Sequence, residues 1–155
     1  MGLPSTRDPE APDHFPPSEF ACHDGCGLDG CDPKLHAALT ELRVAAKAAV
    51  HVISGCRCKA HNDAVGSTDD SCHFSTAEKK TRAADVFVRG MPQTELYRLA
   101  AAIPAFAGGG IGIYPKRGFI HVDVRPGRAR WGKIGARYTS FDEAWTLLKK
   151  EEGVA

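Results

Sequence analysis

The chain is most informative at first for what it lacks. Nowhere do 18 apolar residues run together, so no segment is long enough to cross a membrane as a helix, and no membrane insertion is expected. An excess of one charge is missing too: 20 Lys and Arg stand against 19 Asp and Glu, a formal net charge of +1. That balance removes the electrostatic footprint of a nucleic-acid binder, so no nucleic acid is expected as partner. No internal repeat is visible, which puts repeat architectures aside. The opening stretch, Met1 to Pro17, has no apolar core of the kind a secretory signal needs. Synthesis in the cytoplasm without a signal peptide is therefore expected. Two metal signatures are also absent: there is no His-Glu-x-x-His and no Cys-x-x-Cys knuckle.

What remains is the composition of an ordinary globular domain. With 155 residues, 43% hydrophobic and 25% charged, the chain can bury one real core. Pro4, Pro9, Pro12, Pro16 and Pro17 crowd the start, so residues 1–14 are expected as a flexible Pro-rich arm and 15–155 as the domain. Asp32 followed by Pro33 is a helix start, and Leu35, Leu39 and Leu42 keep helical spacing to about Ala48. Val50 to Ile53 is a short strand ended by Ser54-Gly55, and Ala84 to Val88 is another. Pro92 opens a second helix, with Leu96, Leu99, Ala100 and Ile103 on one face and Pro104 past its end. Ile111–Tyr114 and Phe119–Val124 flank the turn Pro115–Gly118 and predict a hairpin. Ser140 with Glu143 is a capping box opening a C-terminal helix through Phe141, Ala144, Trp145 and Leu148. The fold class expected is α+β: one domain, with a small, mainly antiparallel sheet flanked by helices.

Three residues stand out chemically. His73 lies in a polar loop, Asp85 enters an apolar strand, and His121 sits between Ile120 and Val122. A carboxylate or imidazole in an apolar strand is costly to bury unless it is paired or bound to a metal. Two His and one carboxylate are a common catalytic zinc set, with a fourth position left to water. Zinc on the sheet is one reading. In the other, Asp85 caps a turn or pairs with an arginine, and His121 is a satisfied core histidine. The six cysteines are Cys22, Cys26 and Cys31 ahead of the first helix, Cys56 and Cys58 around Arg57, and Cys72 beside His73. They admit disulfides, free thiols, or a second zinc using some of the first three with a fourth ligand. The missing Cys-x-x-Cys favours disulfides or thiols.

Several segments occur in a telling order: Ser54-Gly55-Cys56-Arg57-Cys58, His61-Asn62, Val65-Gly66, Ser71-Cys72-His73, Arg82-Ala83-Ala84-Asp85, Gly110-Ile111-Gly112, and Gly118 through Asp123. Together they resemble the zinc peptidases of peptidoglycan, the D-Ala-D-Ala carboxypeptidase family (M15), in its small single-domain bacterial and phage branch. The resemblance runs from roughly Phe15 to Trp131. It implies a zinc cofactor held by His73, Asp85 and His121. It implies Arg57 as the arginine that holds and polarises the substrate carbonyl, since a fixed cation can stabilise an oxyanion. The implied reaction is hydrolysis in peptidoglycan stem peptides, of D,D-carboxypeptidase, D,D-endopeptidase or L-Ala–D-Glu endopeptidase type. A monomer acting at the cell wall after release, as a phage endolysin does, goes with it. A non-catalytic wall-binding or structural protein that keeps the fold and zinc is the alternative.

The chain departs from the family's pattern in two places. His73 and Asp85 are 12 positions apart, a longer spacing than the family's. The extra segment, Phe74 to about Lys80, is either a plain loop extension or a flap over the substrate groove. Thr81 stands where a Gly is usual, and Cys72 could replace His73 as ligand. Gly118 occupies the position where many relatives carry the general base. Asp123, two residues after His121 and so on the same strand face, is then expected either to accept a proton or to orient a ligand. His61 matches a family position and is expected to orient the site.

Overall fold

A computed structural model describes residues 13–68 and 70–153; residues 1–12 of the expected arm lie outside them. The chain is already tied down at Asp13, whose carboxylate accepts from the Phe15 N–H at 2.9 Å and meets His36 Nε2 at 2.9 Å. Phe15, just ahead of a 3-10 turn (Pro17–Phe20), and Phe20, its last residue, are both buried. Helix α1 (Pro33–Ala46) starts as the sequence dictates, with Asp32 accepting the Lys34 N–H at 2.8 Å and Pro33 at the first position. It ends slightly early because Lys47 turns left-handed at φ 54° and caps it. Leu35, Ala38, Leu39 and Leu42 form its buried stripe.

The strands are β1 (His51–Ser54), β2 (Ala83–Phe87), β3 (Gly110–Tyr114), β4 (Phe119–Asp123), β5 (Ala129–Ile134) and β6 (Arg137–Thr139). They make one sheet in the order β1-β2-β4-β3-β5-β6, antiparallel throughout except where β3 meets β5. The remaining helices are α2 (Lys59–Ala64), α3 (Gln93–Ala101), α4 (Pro104–Ala107) and α5 (Phe141–Glu151). α3, α4 and α5 pack on the strands, and α1 packs on α3 and α4. The protein is thus a single α+β domain. Sequence patterning did not anticipate α2, β5 or β6. Pro104, expected only to stop the preceding helix, is the first residue of α4. The Ser140 cap of α5 forms as expected, accepting the Glu143 N–H at 3.1 Å.

Alternation along the strands separates a core face from an outer face. Ala84, Val86, Ile111, Ile113, Ile120 and Val122 are fully buried in the core. The intervening residues point the other way, and register sets them in a row. Asp85 lies opposite His121, His121 opposite Gly112, and Gly112 opposite Trp131. Asp123 lies opposite Gly110. A Cβ at Gly112 would run into the Trp131 indole, and one at Gly110 into the Asp123 carboxylate. The Gly-Ile-Gly-Ile run of β3 is therefore an ordinary alternating strand in which the Asp123 carboxylate and the Trp131 indole take the room of the missing outer side chains.

Candidate metal centre and its cleft

Two of the three candidate ligands come from paired strands, and the third is brought to them by a loop. Arg57 and Phe74 form a short parallel bridge: the Arg57 N–H donates to His73 O and the Ser75 N–H to Arg57 O, each at 2.8 Å. Thr81, fully buried, has its hydroxyl 2.8 Å from the Ala83 carbonyl and within reach of the Gly55 and Cys72 carbonyls. It knots the loop carrying His73 to the strand carrying Asp85.

The ring orientations follow from the outer partners. His73 Nδ1 lies 2.8 Å from Gly55 O. A carbonyl only accepts, so Nδ1 carries the proton and Nε2 is left with a lone pair. His121 Nε2 lies 2.7 Å from Asp123 Oδ2, so by the same reasoning His121 Nδ1 is unprotonated. These two free nitrogens face each other at 3.2 Å, and Asp85 Oδ1 is 3.4 and 3.3 Å from them. That oxygen is buried and has no hydrogen-bond partner. Three electron-pair donors thus converge with no proton assigned among them, an arrangement that a cation satisfies. Two imidazole nitrogens and a carboxylate suit zinc. Burial works against a charged Asp85, but positive charge on the two imidazoles, in the absence of a metal, would outweigh it and hold its carboxyl below the ordinary range. Burial likewise opposes a charged His121, while Asp123 and Asp85 pull its pKa up. The negative field that favours a proton here favours a metal ion equally.

Asp123 is fully buried and lines no part of the cleft. It accepts from the Gly110 N–H at 2.9 Å, the Arg125 N–H at 3.1 Å, and the Arg125 guanidinium at 2.6 to 3.0 Å, besides His121. Burial resists its ionisation, and His121 and Arg125 overcome that, holding its pKa far below the usual value. With its oxygens so engaged, it faces His121 and Arg125 rather than the cleft. Arg125 also lies over the Trp131 ring, 5.0 Å from its centroid, and Trp131 tilts against His121 at 4.8 Å. Sequence reasoning missed both residues. Arg125 had a signal, since it continues the His121, Asp123 alternation; Trp131 arrives from a strand that was not anticipated.

Arg57 lines the same cleft as His73, Asp85 and His121, a cavity of about 700 Å³. Its Nη2 donates to Ser71 Oγ at 2.9 Å, while its Nε is buried without a partner. Burial lowers its pKa. Among the described residues the cleft carries Arg57, Arg117, Arg125 and Lys133 against Asp70 and Asp85. None of Phe74 to Lys80 lines it. Thr76 and Lys79 close a tight turn there, and Lys80 Nζ reaches Asp29 O at 3.1 Å. Cys72 stays outside the three-residue cluster, its sulfur 3.8 Å from Arg82 Nη2. His61 does not line the cleft either; it packs on His23 with ring centroids 5.9 Å apart. All six cysteines are unpaired.

The arrangement is that of a hydrolase working through a metal: histidine, aspartate and histidine on the open face of an α+β sheet, with an arginine in the same cleft. A model of the family described as Peptidase M15 matches residues 13–123, and the chain belongs to that family of peptidases. The match spans Arg57, His73, Asp85, His121 and Asp123 and stops before Arg125 and Trp131. No curated protein and no solved structure gives a significant match.

Proposed function

We propose that the protein is a zinc-dependent metallopeptidase hydrolysing peptide bonds in peptidoglycan stem peptides. The observation that carries this reading is the convergence of His73 Nε2, His121 Nδ1 and the unpartnered Asp85 Oδ1. These atoms would hold the ion. Zinc bound there would supply Lewis acidity and lower the pKa of water. The Gly55 carbonyl and Asp123 keep each ring turned with its free nitrogen inward. Ser71 steadies Arg57 by one terminal nitrogen, leaving the guanidinium's other terminal N–H groups for a substrate oxygen. Such a donor stabilises the negative charge that develops on a carbonyl under attack. The cationic excess of the cleft suits a substrate rich in free carboxylates, as stem peptides are. This reading makes the stem peptide the partner. It also places action at the cell wall after release from the cytoplasm, as with an endolysin.

Zinc-loaded protein incubated with purified peptidoglycan should release new amines, stop with a chelator, and resume when zinc is restored. Free D-alanine as the product would indicate a carboxypeptidase; conversion of cross-linked to uncross-linked fragments would indicate an endopeptidase. Metal-replete protein that releases nothing overturns the proposal. One observation favours the second reading, a non-catalytic stem-peptide binder. Gly118, in a left-handed turn at φ 77°, brings no side chain to the position expected for the base, and Asp123 is turned away from the cleft. Zinc and stem-peptide binding without cleavage would be its signature.

A further inference from the structure

We propose that the chain holds a second metal ion, in a closed structural site made by Cys22, Asp24, Cys26 and Cys58, and that the ion is of the thiophilic class to which zinc belongs. One ligand atom from each of the four residues lies within 4.8 Å of all the others. Three come from one loop, and the fourth is the N-cap of α2.

The loop is shaped for convergence. Gly25 and Gly27 take positive φ, 75° and 88°, which only glycine adopts freely. The Gly25 N–H donates to Cys22 O at 3.2 Å, the Cys22 N–H to Leu28 O at 2.8 Å, and the Cys26 N–H to Asp24 Oδ1 at 2.9 Å. Each sulfur also meets a backbone N–H. The Cys58 N–H points to Cys22 Sγ and the His61 N–H to Cys58 Sγ, both at 3.5 Å, and Leu28 supplies the one at Cys26. Metal binds thiolates, and these N–H groups would remain as donors to them once an ion displaced the thiol protons, including the one Cys58 Sγ donates to Asp24 Oδ2. Asp24 Oδ2 completes the group, 2.6 Å from Cys58 Sγ.

Disulfide chemistry does not account for this cluster. A disulfide uses two sulfurs and would strand the third beside a carboxylate that has no part in the bond. Three sulfurs and one carboxylate oxygen are instead four donors of the kinds zinc takes, enough for a four-coordinate, all-protein site. The absent Cys-x-x-Cys had argued against zinc. Here Asp24 takes the place between two cysteines of the loop, and the distant Cys58 supplies the remaining sulfur. Cys31, which the sequence had grouped with Cys22 and Cys26, lies elsewhere, bridged to Thr81.

The site bears on the cleft through its neighbour in sequence. Cys58 directly follows Arg57, and the Cys56 N–H is held by Phe20 O at 2.9 Å. An ion at the four ligands would lock the N-terminal loop to the turn that presents Arg57.

The test counts metals and reads sulfur coordination separately. Protein prepared under reducing conditions and loaded with zinc should hold two equivalents, and His121→Ala should keep one. Cobalt(II) in place of zinc should give thiolate-to-metal charge-transfer absorption in the near ultraviolet. His73, Asp85 and His121 contain no sulfur, so that band reports the second site alone, whatever the outcome of the wall assay. Cys26→Ala should abolish the band and retain one metal. Asp24→Asn, at an exposed position, should weaken cobalt binding at least tenfold and serves if the cysteine variant fails to fold. A His121→Ala protein that binds no metal, or a cobalt-loaded protein with no charge-transfer band, overturns the proposal.

Discussion

Replacing Asp123 by Asn keeps the side chain's volume and changes only its chemistry. The carboxylate now faces donors alone. Oδ1 accepts the Gly110 N–H and the Arg125 N–H at 2.9 and 3.1 Å, while Oδ2 accepts His121 Nε2 at 2.7 Å and Arg125 Nη2 at 2.6 Å. An amide keeps one accepting oxygen and points an NH₂ at the remaining donors. If the NH₂ replaces Oδ1, the Gly110 and Arg125 N–H groups lose their acceptor. If it replaces Oδ2, His121 must give up its Nε2 proton and carry it on Nδ1, the atom that faces Asp85. Breaking a buried ion pair can cost about 3–5 kcal/mol. The Arg125 side chain, however, is 33% exposed, so water takes over part of its partner's role. The penalty of an unpaired buried donor, about 1–3 kcal/mol, is the better guide, and a loss near 2 kcal/mol is expected in urea unfolding. Zinc affinity should fall about 10- to 100-fold, read by competition with a chromophoric chelator. Unchanged affinity with lost hydrolysis would refute the reasoning, because Asp123 would then act on the substrate rather than on His121.

Two glycine substitutions should separate crowding from backbone strain. Gly110→Ala forces a methyl into the Asp123 carboxylate and should destabilise by about 1–3 kcal/mol while also weakening zinc binding. Gly118→Ala meets open space but keeps φ 77°, so a loss of about 1 kcal/mol in thermal unfolding with unchanged zinc affinity is expected. Arg57→Lys should lower the rate of peptide release about 100-fold with metal content unaltered, measured by amine release and metal analysis on the same sample. Ser140→Ala removes the N-cap of α5 and should cost about 1 kcal/mol in urea without affecting hydrolysis.

Much of the fold was written in local patterns. Asp32-Pro33 and Ser140 with Glu143 specify helix starts through contacts a few residues long, and both form. Asp85 and His121 were legible as polar residues in apolar strands. Their meeting was less so, because it depends on β2 pairing with β4 across a long stretch of chain. Short local patterns also left α2 and β6 unseen, since each is only a turn or a few residues long. Trp131 was invisible for a different reason: β5 joins β3 in parallel, and no local turn announces such a pairing. Gly112 was legible only as part of a hairpin strand, yet in the sheet its missing side chain is the room Trp131 occupies. The cysteines show the same limit. Cys58 joins Cys22 and Cys26 only through the tertiary fold, so spacing rules had nothing to detect.

The proposed metal site is made by His73, Asp85 and His121, with the ring tautomers set by Gly55 and Asp123 outside it. An anomalous difference map at the zinc edge, from crystals of the zinc-loaded protein, tests this most directly. The prediction is a peak bonded to His73 Nε2, His121 Nδ1 and an Asp85 carboxylate oxygen. A map with no peak among these three residues, or one in which His121 has turned to coordinate through Nε2, would contradict it.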